Sequence, residues 1–351
     1  MMVESVQAFL RKEMSVKHAP GACLQVSCNG EIVLSEVFGN KTVFPRTSPM
    51  KKNTVFDLAS LTKVVATMPA LMRLLDAGEL TLDDPVSHFL PAFAQQNKAS
   101  VTVKHLLTHT SGLPAHRPYH TYDDLLSTEM IIAEICAEPL QCQPGSRVIY
   151  SDLGFMLLYK IVELITEEPF EHFVKREIFE RLNMRETAFN PSFAIDRYAS
   201  TAYCEKLNDY KRGVVHDENA ELMLGISGHA GLFSTLHDVQ NYTSMIENHG
   251  VFNGERILSK AAVDLSKLNF TPFDSQHRGL GWMLKSQSSA SCGDLFSDQS
   301  YGHTGFTGTS IWFDPTLNVH VIFLTNRVHT GDSSSFFRLR ARLHNFIRSH
   351  F

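Results

Sequence analysis

The sequence predicts an α/β (α+β) fold: a mostly antiparallel sheet flanked by helices, with a helical region inserted between its strands. Three observations carry this. Strand-like runs gather at both ends of the chain, and short turns join most of them, which is how antiparallel neighbours are linked. The long stretch between them has helical periodicity instead. The predicted division is a composite α/β domain of residues 1–58 and 236–351 and a mainly helical region of residues 59–235, with the functional site at the junction.

Residues 1–13 read as an amphipathic helix, because no basic segment precedes an apolar stretch as in an export signal. Runs 21–28 and 31–38 read as strands joined at Asn29-Gly30, a strong hairpin signal. Residues 54–58 are extended and lead into an apolar helix that begins at Ser60. Tyr122-Asp123-Asp124 opens a helix running to Cys136, and Ser151 opens another. Pro169 punctuates the chain before a helix over 170–182, and 256–268 forms a further one. Strands follow over 279–285, 307–313 and 319–325, with Asp314-Pro315-Thr316-Leu317-Asn318 turning between the last two. Residues 286–291 read as a surface loop. Ser333-Ser334-Ser335 precede a final helix with Phe336, Leu339, Leu343 and Phe346 on one face. Arg338, Arg342 and Arg348 form its solvated rim.

Composition narrows the function. The 351 residues are 43% hydrophobic and 20% charged, an ordinary globular balance with ample core. A net charge of −5 with scattered basic residues argues against nucleic acid as a partner. No apolar run is long enough to span a bilayer; the best, 153–165, is broken by Lys160 and Glu163. Six cysteines without paired C-x-x-C spacing suggest free thiols and a cytoplasmic protein, with a processed, exported form as the alternative. Cys23 and Cys28 should point to opposite faces of their strand. His105 and His109 stand at i, i+4 without an intervening glutamate, so a structural role is expected and no metal or cofactor. The chain has no G-x-S-x-G elbow, which argues against an α/β-hydrolase.

Chemistry concentrates in three segments. Ser60-Leu61-Thr62-Lys63 places a hydroxyl and an amine one turn apart on a helix face. A serine needs a base to become a nucleophile, and a lysine desolvated by Val64, Val65 and Met68 can lose its proton near neutral pH. The helix N-terminus adds N–H groups for an oxyanion. A second Ser-x-x-Lys, Ser48-Pro49-Met50-Lys51, has no apolar helix behind it and reads as loop. In Pro144-Gly145-Ser146-Arg147-Val148-Ile149-Tyr150-Ser151-Asp152, Tyr150 sits at an element end, where a phenol beside an ammonium can serve in proton transfer. In Tyr301-Gly302-His303-Thr304-Gly305-Phe306-Thr307-Gly308-Thr309, the glycines let backbone approach a ligand, and His303 and Thr304 offer donors.

In these three segments the sequence resembles the serine β-lactamase and penicillin-binding-protein family, whose pattern is S-x-x-K, Y-x-N and K-T-G. The branch it resembles is that of class C β-lactamases, their peptidase relatives and the related family VIII carboxylesterases. Residues 103–114 and 228–235 resemble loops bordering the family's cleft. The resemblance implies a β-lactamase/transpeptidase-like fold and a serine hydrolase that forms an acyl-enzyme. Ser60 would be the nucleophile and Lys63 its activating partner, while Tyr150 would protonate the leaving group and later help activate water. The backbone N–H groups of Ser60 and Phe306 would form the oxyanion hole. Asp152, His303, Thr304 and Gly305 would contact a small ester, β-lactam or short peptide substrate. A D-amino-acid peptidase of the penicillin-binding type and a catalytically silent binding homologue are the alternatives.

Two positions depart from the pattern: Asp152 replaces the asparagine of Y-x-N, and His303 replaces the lysine of K-T-G. An ionised aspartate only accepts hydrogen bonds, and histidine is mostly neutral above its pKa. The pocket is then expected to be more negative by roughly one to two charges, each worth about 4 kcal/mol at 4 Å and an effective dielectric of 20. Small esters should therefore be favoured over carboxylate-bearing β-lactams. The competing reading is that Asp152 pairs with Lys63 and substrate choice is unaffected.

Overall fold

The computed structural model describes residues 2–15, 19–122, 126–286, 291–331 and 334–351. Its centre is a seven-stranded sheet built from β1 (Gly21–Cys28), β2 (Glu31–Thr42), β3 (Ser48–Pro49), β4 (Met283–Leu284), β5 (Tyr301–Thr304), β6 (Ser310–Asp314) and β7 (Val319–Thr325). The spatial order is β4-β5-β6-β7-β1-β2-β3, and every pair is antiparallel. The sheet thus joins the two ends of the chain. Asn29 and Gly30, at φ 51° and 78°, supply the two left-handed positions that a tight hairpin between β1 and β2 requires.

Side chains alternate across a strand, and here both faces are covered. Leu24 and Val26 of β1 with Val321 and Phe323 of β7 pack against α1 (Met2–Ser15) and the last helix, Ser334–Arg348. Cys23, Ile322 and Leu324 point the other way, into a larger core shared with the helical region. Cys23 and Cys28 accordingly lie on opposite faces, and all six cysteines are free. Two further helices matter for the site: α2 (Met68–Ala77) and α3 (Asp152–Thr166). The C-terminal helix Ser334–Arg348 is α4.

Several expected elements are shorter than their apolar runs. The strand expected over 279–285 is confined to Met283–Leu284, because Gly281 turns the chain at φ 76°. The strand expected over 307–313 starts at Ser310, since the chain is still turning through Gly308 at φ 113°. The helix expected over 256–268 is Lys260–Ser266, because the Ser259 hydroxyl caps it by accepting from the Ala262 N–H. Ser127 likewise caps Thr128–Ala137; the opening expected at Tyr122-Asp123-Asp124 runs into residues outside the described set. Most of the loop expected over 286–291, and Ser333, also lie outside it. Ser48–Pro49 is not loop but a short edge strand on β2, a position where proline's missing N–H faces outward. Among the described residues, no helix is long and apolar enough to cross a membrane.

Candidate active site

Ser60 does not begin a simple α-helix. Phe56–Asp57 pairs with Leu232–Ser234, which also pairs with Ala188–Phe189. The chain then makes a tight 3-10 turn over Ala59–Leu61, with Ala59 forced to φ 47°. Such a conformation costs a non-glycine residue of order 1 kcal/mol or more. It is held by the buried Asp57 carboxylate, which accepts from the Ala59 N–H at 2.8 Å and from the His216 N–H at 2.7 Å. Past Ser60 the helix widens into a π-turn over Lys63–Thr67. Pro69 explains it: lacking an N–H, it leaves a carbonyl of the preceding turn without a helical donor. The Tyr242 hydroxyl donates to the freed Val64 carbonyl, and the Thr67 hydroxyl donates to Gly228 O at 2.7 Å.

This geometry carries the Lys63 side chain into a dry site, 0% exposed. Its Nζ donates to Ser60 Oγ at 3.0 Å and to His229 O at 3.0 Å, and lies 2.8 Å from Asp152 Oδ1. Burial favours the neutral amine, but the Asp152 carboxylate and the Tyr150 phenol outweigh it and hold the Lys63 pKa above its ordinary value. Asp152 and Tyr150 thus oppose the loss of the Lys63 proton that burial by Val64, Val65 and Met68 favours. Asp152 heads α3, whose N-cap is Ser151, so its carboxylate also sits at the positive end of the helix dipole.

Tyr150 lies between charged and aromatic neighbours. Lys63 Nζ is 4.9 Å and the Arg278 guanidinium 5.3 Å from its ring centre, and the His109 and His303 rings stand at 4.5 and 5.9 Å. His109 Nδ1 accepts from the Ser151 N–H at 3.0 Å, fixing the backbone beside Tyr150. His303 Nδ1 donates to Thr304 O at 2.9 Å. Burial, then Lys63 and Arg278, push His303 well below the ordinary imidazole pKa, so it is neutral as expected. His105 caps a helix with Thr102, and the described residues hold no metal-binding cluster of histidine, cysteine or carboxylate side chains.

The loop after β5 is latched onto the turn that carries Ser60. The Thr307 hydroxyl donates to Asp57 O at 2.8 Å and that of Thr309 to Leu58 O at 3.1 Å. Gly305 permits this approach: a Cβ there would lie 2.4 Å from Leu58 O and 2.2 Å from Thr309 Oγ1. The N–H groups of Ser60 and Phe306 have no acceptor among the described residues. Ser60, Tyr150, His303, Thr304, Gly305 and Phe306 all line one cleft of about 250 Å³. Asp152 stands behind it, reaching the site through Lys63.

The sequence reading missed three features. Arg278 and Arg340 line the same cleft, and Asp217 braces His229 through a 2.9 Å contact to Nε2, behind the carbonyl that receives Lys63. A lone arginine beside Gly279-Leu280-Gly281, or one among several on α4, carries no spacing signal. The Asp152 charge is matched by Lys63, and Arg278 and Arg340 add positive charge to the cleft, which offsets the expected deficit.

Residues 6–344 match the family model described as Beta-lactamase. A Bacillus subtilis (strain 168) protein named N-acetylmuramyl-L-alanine amidase is 32% identical over 350 residues, covering 89% of this chain and 78% of its own. An Escherichia coli (strain K12) protein provisionally named D-alanyl-D-alanine carboxypeptidase is 33% identical over 315 residues, covering 79% and 70%. A penicillin-binding protein homologue from Caulobacter crescentus shares the fold with a TM-score of 0.80 at 18% identity, covering 99% of this chain and 97% of its own. The chain belongs to the beta-lactamase family and has the β-lactamase/transpeptidase fold.

Proposed function

We propose that this protein is a serine hydrolase that cleaves small carboxylic esters, and by the same steps β-lactams, through an acyl-enzyme on Ser60. The observation that carries the reading is that the buried Lys63 amine touches both Ser60 Oγ at 3.0 Å and Asp152 Oδ1 at 2.8 Å. Lys63, charged at rest, passes a proton to Asp152 as it takes that of Ser60. The serine oxygen attacks the carbonyl, and the oxyanion is held by the N–H groups of Ser60 and Phe306, each such donor being worth roughly 10²–10³ in rate. Tyr150 gives its proton to the leaving group and recovers one from the water that hydrolyses the ester; Lys63 returns a proton to Ser60 and regains its own from Asp152.

A second reading, release of a C-terminal residue from a short peptide, is favoured by the name of the carboxypeptidase relative. The test is turnover of short p-nitrophenyl esters and a chromogenic cephalosporin by the wild type and Ser60→Ala. Ester turnover is expected in the wild type, with a loss of roughly 10³-fold or more in the variant. Ester turnover that survives in Ser60→Ala contradicts the reading.

A further inference from the structure

The Lys63 ammonium has three hydrogens to place, and its Nζ meets Ser60 Oγ, Asp152 Oδ1 and His229 O. In acyl transfer the first two exchange protons with it. The bond to His229 O does not change, so that carbonyl is the fixed point about which the amine works. Whatever holds the carbonyl bears on the reaction, since a displacement of about 1 Å can cost roughly 10²-fold in rate.

The His229 imidazole is 1% exposed and pinned at both nitrogens. Nδ1 bonds the Ser227 hydroxyl at 2.8 Å, and Nε2 donates to Asp217 Oδ1 at 2.9 Å. Burial opposes a charge on Asp217, but His229 and Lys63 hold its carboxyl below the ordinary range, so Oδ1 is an acceptor. That oxygen cannot turn away freely, because it also accepts from the Ala220 N–H at 2.8 Å and caps the short helix Glu218–Leu222. In Gly228-His229-Ala230-Gly231 only His229 has a polar side chain, so its ring is the side-chain anchor of this peptide.

The segment that carries Asp217 reaches the other reacting group as well. The Asp57 carboxylate that accepts from the His216 N–H also accepts from the Ala59 N–H, in the turn that presents Ser60. The His216 ring stands 5.5 Å from that of Phe306. His216-Asp217 thus braces the Ser60 turn through its backbone and the acceptor of Lys63 through a side chain.

We infer that Asp217 is a positioning residue for acyl transfer: it fixes the His229 imidazole, and through it the carbonyl that keeps Lys63 Nζ within bonding distance of Ser60 Oγ. This rests on the acyl-enzyme reading. Asp217 does not line the cleft of Ser60. Its effect therefore falls on the chemical step and not on substrate binding.

The experiment measures kcat and KM for p-nitrophenyl acetate in the wild type, Asp217→Ser, Asp217→Asn, His229→Phe and the double variant Asp217→Ser/His229→Phe. Serine keeps the helix cap, but its oxygen is one bond short of His229; asparagine keeps both contacts. In Asp217→Ser kcat is expected to fall by roughly 10–100-fold with KM changed by less than about 3-fold. Asp217→Asn should restore kcat to within about 3-fold of the wild type. The double variant should be no slower than His229→Phe, because the two residues act in series. Wild-type kcat in Asp217→Ser, an equal loss in Asp217→Asn, or losses that multiply in the double variant overturn the inference. His229→Phe alone carries the same expectation of a lower kcat at similar KM, and an unchanged kcat there overturns it too. If the wild type turns over no ester and Ser60 takes no covalent label, the acyl-enzyme reading fails instead. A crystal structure of Asp217→Ser then decides the positioning: Lys63 Nζ beyond about 3.5 Å from Ser60 Oγ supports it, and a bond retained overturns it.

Discussion

Asp152 Oδ1 lies 2.8 Å from Lys63 Nζ, across the gap between the head of α3 and the π-turn that follows Ser60. One residue thereby sets the resting charge of another. Burial acts on Lys63 towards neutrality, and the carboxylate reverses it. An asparagine at 152 would leave burial unopposed by that charge.

In Asp152→Asn the Lys63 pKa should therefore fall, and neutral amine should be present at lower pH. The Lys63 ammonium should titrate at lower pH in Asp152→Asn than in the wild type, read by NMR of the nitrogen-15-labelled side-chain amine, while kcat for p-nitrophenyl acetate falls by roughly 10²-fold or more because the proton acceptor is lost. A Lys63 titration that stays in place or moves to higher pH removes Asp152 from the control of Lys63.

Gly305 tests the latch between the β5 loop and the turn that carries Ser60. A methyl group there must displace Leu58 O or Thr309 Oγ1, and with them the relation between the Ser60 and Phe306 N–H groups. Gly305→Ala should lower kcat for p-nitrophenyl acetate by roughly 10-fold or more, as losing an oxyanion donor does, with a smaller change in KM. An unchanged kcat would show that the approach is not needed.

Much of this site was legible in the sequence, and the reasons for the rest are physical. Ser60, Lys63, Tyr150 and the His303-Thr304-Gly305 run announce themselves by local spacing, because each role is met within one turn or one strand end. The π-turn was not legible: Pro69 signals a disrupted turn, but only the distant Tyr242 hydroxyl decides how it is resolved. Arg278 and Arg340 were missed because they reach the cleft from separate segments that only the folded chain brings together. The pairing of Asp152 with Lys63 was one of two competing readings, because the two residues lie 89 positions apart in sequence (152 − 63 = 89) and only the fold brings them to 2.8 Å.

Acid should destabilise the fold through buried imidazoles. Burial lowers the His344 pKa to about 4, from an ordinary 6.5, and its Nδ1 donates to Arg340 O at 2.8 Å. The unfolded chain takes up this proton first as pH falls, so the contribution is complete above about 6.5 and is lost on the way down to about 4. The loss is on the order of 3 kcal/mol, with His109 and His303 acting in the same direction. The urea midpoint is expected to fall between pH 7 and pH 5, and to fall less in His344→Met. Equal slopes in the two proteins would show that His344 is not a source of the loss.

The central claim is that Ser60 is an activated nucleophile, and covalent labelling tests it most directly. The intact wild-type chain is treated with a fluorophosphonate and weighed, and the modified peptide is sequenced; Ser60→Ala and Lys63→Met are treated in parallel. The account expects one adduct on Ser60 in the wild type, none in Ser60→Ala, and a rate lower by roughly 10²-fold or more in Lys63→Met. No adduct in the wild type, or one that persists in Ser60→Ala, would contradict it.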